Sequence, residues 1–250
     1  MLPAHFNHPG RPLIWAHRGA SAEAPENTIA AFSLALAEDA DGVELDAQRC
    51  ASGEVVVLHD ESLARTTGFA APVMHASYSV LRTLDAGSWK ADRFRGERIP
   101  LLAEVLEAFP RLVNVELKCE TVDDGGLTSE VVRVVRAAAA EDRVLLSSFN
   151  AACLWRARAL APRIPRALLF ESEQRWPLRS ALFAPLLGVA AVHPEHVLAT
   201  PDRVSRWRRR GYSVACWTVD DPEGAARLHQ SGVTGVITNR PGPMRGRWPA

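Results

Sequence analysis

The sequence predicts a (β/α)8 barrel of the α/β class, which is a closed parallel sheet with helices around it. Short apolar strands alternate with segments of helical period along the chain, the pattern of a parallel sheet. Eight strands are counted when one short apolar run is set aside, and eight strands close this kind of barrel. A length of 250 residues suits one barrel, so we expect a single domain over residues 1–250.

The expected strands are short apolar runs, several of which end in polar residues. In chain order they are Leu13–Ala16, Val43–Ala47, Leu112–Leu117, Val144–Ser148, Ala167–Phe170, Val189–Val192, Ser213–Val219 and Gly235–Thr238. The helices expected between them include Thr28–Glu38, Ser129–Ala140, Ala151–Leu160 and Leu178–Leu187.

The helix boundaries are predicted from capping residues. Apolar residues recur at helical spacing in the first helix, and Asn27 before it is of a type that caps helices. Thr200 and Asp221, each followed by proline, mark the starts of two later helices. Gly211 and Gly232 are expected to end those helices.

The apolar run Val55–Leu58 does not fit the alternation of strands and helices. Only the turn Ala51–Glu54 separates it from the preceding strand, which is too short for a parallel crossover. We therefore expect a hairpin above the barrel rim. This hairpin would return His59 to the carboxylates of the preceding strand, Glu44 and Asp46.

The composition excludes several functional classes. Lysine plus arginine equals aspartate plus glutamate at 29 each, so there is no basic excess of the kind that binds nucleic acid. The basic run around Trp207, which comprises Arg206, Arg208, Arg209 and Arg210, is interpreted as a solvated helix face. The cysteines are dispersed and form no CxxC pair, which argues against zinc fingers and redox motifs.

No targeting or membrane segment is predicted. The N-terminal residues lack a positively charged start followed by an apolar run, and no stretch is long and apolar enough to cross a bilayer. We expect a cytoplasmic protein with no stable membrane anchor, and leave the oligomeric state open.

Ionisable side chains follow the early strands and point to acid/base chemistry. His17 and His59 stand at strand ends, and two imidazoles can exchange protons near neutral pH. Glu44 and Asp46 are two residues apart on one strand, so both face the same side and can share one hard cation. The pattern suggests metal-assisted chemistry on a phosphate ester.

Glu116 on a later strand supplies a third carboxylate. Three carboxylates without cysteine favour Mg²⁺ or Ca²⁺ over zinc. The alternative is a set of ordinary salt bridges at a strand end. For Glu116 taken alone that alternative is favoured, whereas for the pair Glu44 and Asp46 we favour a metal site.

An ordered set of motifs resembles the glycerophosphodiester phosphodiesterase family. The resemblance runs from Leu13 to Pro241 and is carried by HRGASAEAPENT, GVELDAQ, VVLHD, NVELK, LLSSFN, ACWTVDD and GVITNRP. It implies a TIM-type barrel with a small inserted lobe after the second barrel strand, at about residues 61–107. It also implies His17 and His59 as the catalytic pair, and hydrolysis of glycerophosphodiesters to an alcohol and glycerol 3-phosphate.

Further side chains are candidates for substrate binding. Arg18 can clamp phosphate oxygens with its planar fork, and Lys118 faces the same way as Glu116 and adds positive charge. Either could instead form a surface ion pair. Phe149 and Trp217 fall at strand ends and could line a wall for the glycerol, with core packing as a nearly equal alternative.

Some residues and steps stay unassigned. His5, His8, His75 and His229 are interpreted as structural, whereas His193 and His196 follow a barrel strand and could reach the rim. Attack by water and attack by the substrate's own hydroxyl, which gives a cyclic phosphate, both remain open. Rival functions are a phospholipase D-like barrel that acts on lysophospholipids with release of a cyclic phosphate, and a non-catalytic barrel that binds phosphoesters.

Overall fold

The computed structural model describes residues 2–176 and 180–248, and within them eight parallel strands close into a barrel. These strands are β1 (Leu13–His17), β2 (Gly42–Arg49), β4 (Leu112–Leu117), β5 (Val144–Ser148), β6 (Arg166–Phe170), β7 (Ala191–Pro194), β8 (Ser213–Cys216) and β9 (Gly235–Thr238). Strand β1 pairs with both β2 and β9, which closes the sheet. The predicted (β/α)8 barrel is confirmed.

Several of the expected strand boundaries are wrong. The strand expected to end at Ala47 continues to Arg49. The strand expected at Val189–Val192 begins at Ala191, because Gly188 ends the preceding helix in a left-handed conformation and the next residues form the connection. The strand expected to reach Val219 ends at Cys216, and Trp217 makes only an isolated bridge to Glu195.

The short strand β3 (Val55–Val57) is the antiparallel partner of β2, as the short turn predicted. Val57 lies opposite Ala47, and the backbone N–H of Leu58 then donates to the carbonyl of Asp46 at 2.9 Å. The chain therefore runs back along β2. This pairing brings His59 beside the carboxylates of the neighbouring strand.

Helices follow the barrel strands. They are α1 (Ile29–Ala37), α4 (Leu102–Ala108), α5 (Leu127–Ala137), α6 (Ala151–Leu160), α7 (Ala184–Leu187), α8 (Pro201–Arg209), α9 (Pro222–Gln230) and α10 (Pro241–Arg247). Asp221 caps α9 as predicted, accepting from the backbone N–H groups of Glu223 and Gly224. The arginines around buried Trp207 are exposed as expected, with Arg206, Arg208 and Arg209 on α8 and Arg210 at its C-cap. Within residues 2–176 and 180–248, no helix has the length and apolar character needed to span a bilayer.

Three helix predictions need correction. Thr28, and not Asn27, caps α1, since the Thr28 hydroxyl accepts from the backbone N–H of Ala31. The helix expected over Ser129–Ala140 occupies Leu127–Ala137, because Asp124 binds the backbone N–H of Thr128 and starts it earlier. The helix expected near Leu178–Leu187 starts in a segment outside the described residues, and the described part contains the short helix α7.

A small layer of short helices lies between β3 and α4. It contains α2 (Ala64–Thr67), α3 (Tyr78–Leu81) and two 3-10 turns, and its apolar residues form their own cluster against the β3 hairpin. By contrast, Leu102, Val105 and Leu106 of α4 pack in the main barrel cluster. Helix α4 therefore completes the second strand–helix unit, and the part outside the barrel ends near Leu101.

The interior of the barrel changes from apolar to polar along its strands. The first halves of the strands contribute an apolar cluster that includes Leu13, Trp15, Leu145, Ala167 and Ala191. The second halves carry buried ionisable side chains, which are described below. A polar, functional face at the carboxyl ends of the strands is the usual arrangement in such barrels.

Candidate active site

Three carboxylates meet at the carboxyl ends of two neighbouring strands. Glu44 and Asp46 lie on β2, and the parallel register places Asp46 opposite Glu116 of β4. One oxygen from each residue lies within 4.8 Å of the others, and all three residues are buried. The predicted trio is thus brought together by strand pairing.

Burial and mutual repulsion disfavour the ionised form of two of the three carboxyl groups. Burial raises the pKa of Glu44 well above its ordinary value, and the neighbouring carboxylates Asp46 and Glu116 add to the effect. Burial also raises the pKa of Glu116 to about 7, although Lys118 opposes the shift. The Oδ1 atom of Asp46 is buried without a hydrogen-bond partner. Hard oxygen donors in this state fit a divalent cation such as Mg²⁺ or Ca²⁺.

His17, the last residue of β1, is held from its Nδ1 side. Its Nδ1 lies 2.8 Å from Oδ1 of Asn239, whose own Nδ2 donates to Asp220 at 2.8 Å. Because that donation fixes which amide atom is the oxygen, His17 donates from Nδ1. Its Nε2 lies 3.9 Å from Oε2 of Glu44 and has no hydrogen bond to a described residue. Burial, with Arg18 nearby, lowers the pKa of His17 to about 4. The ring is therefore neutral at pH 7.

His59 follows β3 and is also held at Nδ1, which lies 2.7 Å from Oδ1 of Asp60. A carboxylate only accepts, so His59 donates from Nδ1 and its Nε2 is the free atom. The side-chain amide of Gln48 lies 2.8 Å from the carbonyl of Leu58, 3.1 Å from that of His59 and 2.8 Å from that of Asp60. The backbone that carries His59 is thereby tied to β2.

Arg18 and Lys118 add positive charge around the trio. Arg18 places Nε 3.2 Å from Asp46 and donates from Nη1 to Glu26 at 2.9 Å. Nζ of Lys118 lies 3.0 Å from Glu116 and 3.8 Å from Asp46. Their side chains are only 18% and 24% exposed, so neither forms an ordinary surface ion pair. Burial opposes the charge on Lys118, but Glu116 and Asp46 outweigh it and raise the pKa of Lys118.

The loop after β1 is held in an unusual backbone conformation. Arg18 and Asn27 both adopt left-handed φ angles, 56° and 59°. The backbone N–H of Arg18 donates to the carbonyl of Glu44, and Nδ2 of Asn27 donates to Asp46 at 2.8 Å. A Cβ at Gly19 would lie 2.6 Å from the backbone of Ala31, so this position requires glycine. Such strain persists where surrounding contacts hold it, typically at functional sites.

A cavity of about 590 Å³ opens over these groups. Phe149 and Trp217 form one wall, with ring centroids 5.5 Å apart in an edge-to-face arrangement. The indole N–H of Trp217 donates to the carbonyl of buried His193 at 2.8 Å, which anchors the ring. Predicted site residues that line the cavity are His17, Arg18, Glu44, His59, Glu116, Lys118, Phe149 and Trp217.

Comparison with known proteins identifies the family. The sequence matches the profile of the Glycerophosphoryl diester phosphodiesterase family over residues 17–243. A glycerophosphodiester phosphodiesterase of Caldanaerobacter subterraneus subsp. tengcongensis is 37% identical over 232 residues, which cover 92% of this chain and 94% of that protein. The chain belongs to the glycerophosphoryl diester phosphodiesterase family. It is therefore a phosphoric diester hydrolase.

Solved structures of phosphodiesterases share the fold of this family member. An Oleispira antarctica phosphodiesterase in complex with the product sn-glycerol-3-phosphate matches with a TM-score of 0.87 and 31% identity, covering 95% of this chain and 96% of the other. The glycerophosphodiester phosphodiesterase of Agrobacterium tumefaciens str. C58 matches with a TM-score of 0.79 and 28% identity, covering 94% and 99%.

The candidate site contains residues that the sequence patterns did not single out. Asn114 and Ser147 line the cavity, are fully buried and have side-chain polar atoms without a hydrogen-bond partner among the described residues. Groups of this kind are normally satisfied by water or a bound molecule. Asn239 and Asp60, which hold the two histidines, were also missed. Both lie inside the recognised motifs GVITNRP and VVLHD, and that position was the available signal.

Proposed function

We propose that this enzyme hydrolyses glycerophosphodiesters to an alcohol and glycerol 3-phosphate, using two histidines and a divalent cation. One observation carries the proposal. His17 and His59 are both held at Nδ1, have no hydrogen bond at Nε2 to any residue that the structure describes, and line the cavity in which three carboxylates meet. The product bound to the Oleispira antarctica phosphodiesterase supports glycerol 3-phosphate as the product class.

Glu44, Asp46 and Glu116 would hold Mg²⁺ or Ca²⁺, because they present buried, mutually repelling oxygen donors. A bound cation supplies positive charge that offsets the negative charge of the phosphate as it is attacked. Arg18 and Lys118 lie at the same carboxylates and line the cavity, so they bind the remaining phosphate oxygens.

The surroundings of the two histidines assign them different roles. His17 is neutral because burial and Arg18 lower its pKa, so its Nε2 accepts the proton of the attacking hydroxyl. His59 is held in a fixed orientation by the Asp60 carboxylate, which accepts from its Nδ1. Its Nε2 donates the proton to the leaving alkoxide, which departs as an alcohol. The attacking hydroxyl belongs either to water or to the substrate's glycerol, and the second route passes through a cyclic phosphate.

A leaving-group experiment tests these roles. His59→Ala is expected to lose at least about a hundredfold in kcat on glycerophosphocholine. It should recover most of that rate on a diester that releases p-nitrophenolate, since this leaving group needs no proton. His17→Ala should stay slow on both substrates. The reverse pattern would exchange the two roles, and near-normal rates in a folded variant would remove that histidine from the mechanism.

A substrate panel separates the proposal from its rivals. Glycerophosphocholine, glycerophosphoethanolamine and micellar lysophosphatidylcholine are supplied with Mg²⁺ and Ca²⁺ in turn, and products are followed by phosphorus NMR. Glycerol 3-phosphate from the soluble diesters supports the proposed function. Preference for the lysolipid with accumulation of a cyclic phosphate would favour the phospholipase D-like alternative. Binding without turnover would indicate a non-catalytic barrel.

A further inference from the structure

Arg65 of helix α2 in the small helical layer binds two carboxylates at once. Its Nε and Nη2 lie 2.5 Å and 3.1 Å from the two oxygens of Asp60. Its Nη1 and Nη2 lie 2.8 Å and 2.7 Å from the two oxygens of Glu26. One planar guanidinium thus makes two forked pairs, and this geometry sets the orientation of both carboxylates.

Each of these carboxylates also accepts a hydrogen bond from a residue of the candidate active site. Asp60 accepts from Nδ1 of His59 at 2.7 Å. Glu26 accepts from Nη1 of Arg18 at 2.9 Å. Arg65 therefore binds both Asp60, which orients His59, and Glu26, which orients Arg18. Among the described residues, only Arg65 forms hydrogen bonds with both Asp60 and Glu26.

The location of Arg65 adds weight to a positioning role. Glu26 lies in the loop after β1, and Asp60 lies at the end of the β3 hairpin, so the two carboxylates belong to separate parts of the chain. The Arg65 side chain is 43% exposed, and an exposed ion pair alone contributes little to stability. Hydrogen bonds from Arg65 are also the main cause that lowers the pKa of Asp60 to about 2. Asp60 consequently stays ionised behind His59.

We propose that Arg65 is a positioning residue, which aligns the proton-donating His59 and the phosphate-binding Arg18 together from the helical layer outside the barrel. The inference rests on the proposed function. Loss of the guanidinium releases Asp60 to turn away from His59 and releases Glu26 from one of its two arginine partners. The first change slows the proton transfer, and the second weakens the hold on the phosphate.

The test compares Arg65→Gln and Arg65→Lys with Arg95→Gln, a control in the same layer that breaks only the exposed pair with Asp92. Wild-type turnover of glycerophosphocholine is established first, so that failure of the proposed function is seen separately. Arg65→Gln is expected to lower kcat about tenfold to a hundredfold and to raise KM. Its melting temperature should stay close to that of the control. Arg65→Lys should rescue little, because it keeps the charge and loses the fork.

A second readout shows whether Arg65 acts through His59. The kcat loss of Arg65→Gln should shrink on the p-nitrophenyl diester to the same degree as the loss of His59→Ala, while the KM effect persists. Combined with Asp60→Asn, the kcat losses should be less than multiplicative. Full activity of either Arg65 variant, equal losses on both substrates, or multiplicative losses with Asp60→Asn would overturn the inference.

Discussion

At the scale of single residues, Lys118 shows how a strand end places charge in the site. It lies one residue beyond β4 and contacts Glu116 and Asp46, both of which are metal-ligand candidates. The pKa of Lys118 is raised, since the two carboxylates outweigh the burial that opposes it. The ammonium is therefore charged and lines the cavity that would receive the phosphate.

Lys118→Ala is expected to lower kcat/KM on glycerophosphocholine about tenfold to a thousandfold, the scale for loss of one cationic contact in the transition state. A thermal melt should change little. Arg133→Ala, which breaks an exposed pair with Glu130 on α5, serves as the control and should leave kcat/KM unchanged. An unchanged kcat/KM for Lys118→Ala would mean that this lysine only balances the charge of Glu116.

The candidate residues that the sequence predicted share one property, which is that each lies on a strand or in the segment that directly follows one. Strand alternation alone places Glu44 and Asp46 on one face, and parallel pairing then brings Glu116 to them. Asn239 and Arg65 could not be predicted in this way. Asn239 meets His17 only because the barrel closes, and Arg65 meets Glu26 only through the fold of the helical layer.

At the scale of elements, the β3 hairpin carries His59 and depends on one side chain of β2. The amide of Gln48 lies within hydrogen-bond distance of three consecutive carbonyls, from Leu58 to Asp60. An amide group has two hydrogens, so it satisfies two of these carbonyls at a time. The end of the hairpin is therefore held through its backbone, independently of the contact between His59 and Asp60.

Gln48→Ala is expected to lower kcat by up to about a hundredfold, since small displacements of an acid/base group have effects of that size. It should also cost about 1–3 kcal/mol in unfolding free energy for the carbonyls left unpaired. The measurements are kcat, denaturant unfolding and amide hydrogen exchange at residues 58–60. Gln230→Ala at the exposed end of α9 is the control. Unchanged exchange at residues 58–60 would show that Gln48 does not hold the hairpin.

Elements with a strong local signal were predicted well, and elements set by tertiary contacts were not. Helix α6 matches its prediction at both ends, because Asn150 caps it and its partners are close in sequence. Asn27 was read as a cap from its residue type, yet its amide is used by Asp46 and Thr28 takes the capping role. Helix α4 was assigned to the inserted lobe since nothing in its sequence shows which layer it packs against.

At the scale of the whole molecule, two members of the acidic trio, Glu44 and Glu116, oppose folding of the metal-free protein at neutral pH. A carboxyl group whose pKa is higher in the folded than in the unfolded state opposes folding at neutral pH. The pKa values of Glu44 and Glu116 are both raised in the folded state, chiefly because the two carboxyl groups are buried. A cation that binds only the folded state would oppose this destabilisation. At a concentration one hundred times its Kd, it would raise the free energy of unfolding by about 2.7 kcal/mol.

We expect chelated protein to lose its activity and to melt in one transition at a lower temperature than protein with Mg²⁺ or Ca²⁺. One transition would also support the prediction of a single domain over residues 1–250. Glu44→Gln should raise the melting temperature of the chelated protein and abolish the shift caused by the cation. Glu107→Gln, an exposed control on α4, should do neither. Full turnover in metal-free buffer would contradict the metal site.

The contact between His17 and Asn239 joins positions 222 residues apart, and β1 finds its second neighbour only in β9. A chain that leaves the ribosome at about 5–20 residues per second therefore makes His17, one of the two proposed acid/base residues, early and its hydrogen-bond partner Asn239 late. Until β9 emerges, the sheet is open and β1 presents an unpaired edge, which invites association with other chains. We therefore expect the nascent protein to be inactive until β9 has emerged and the sheet has closed.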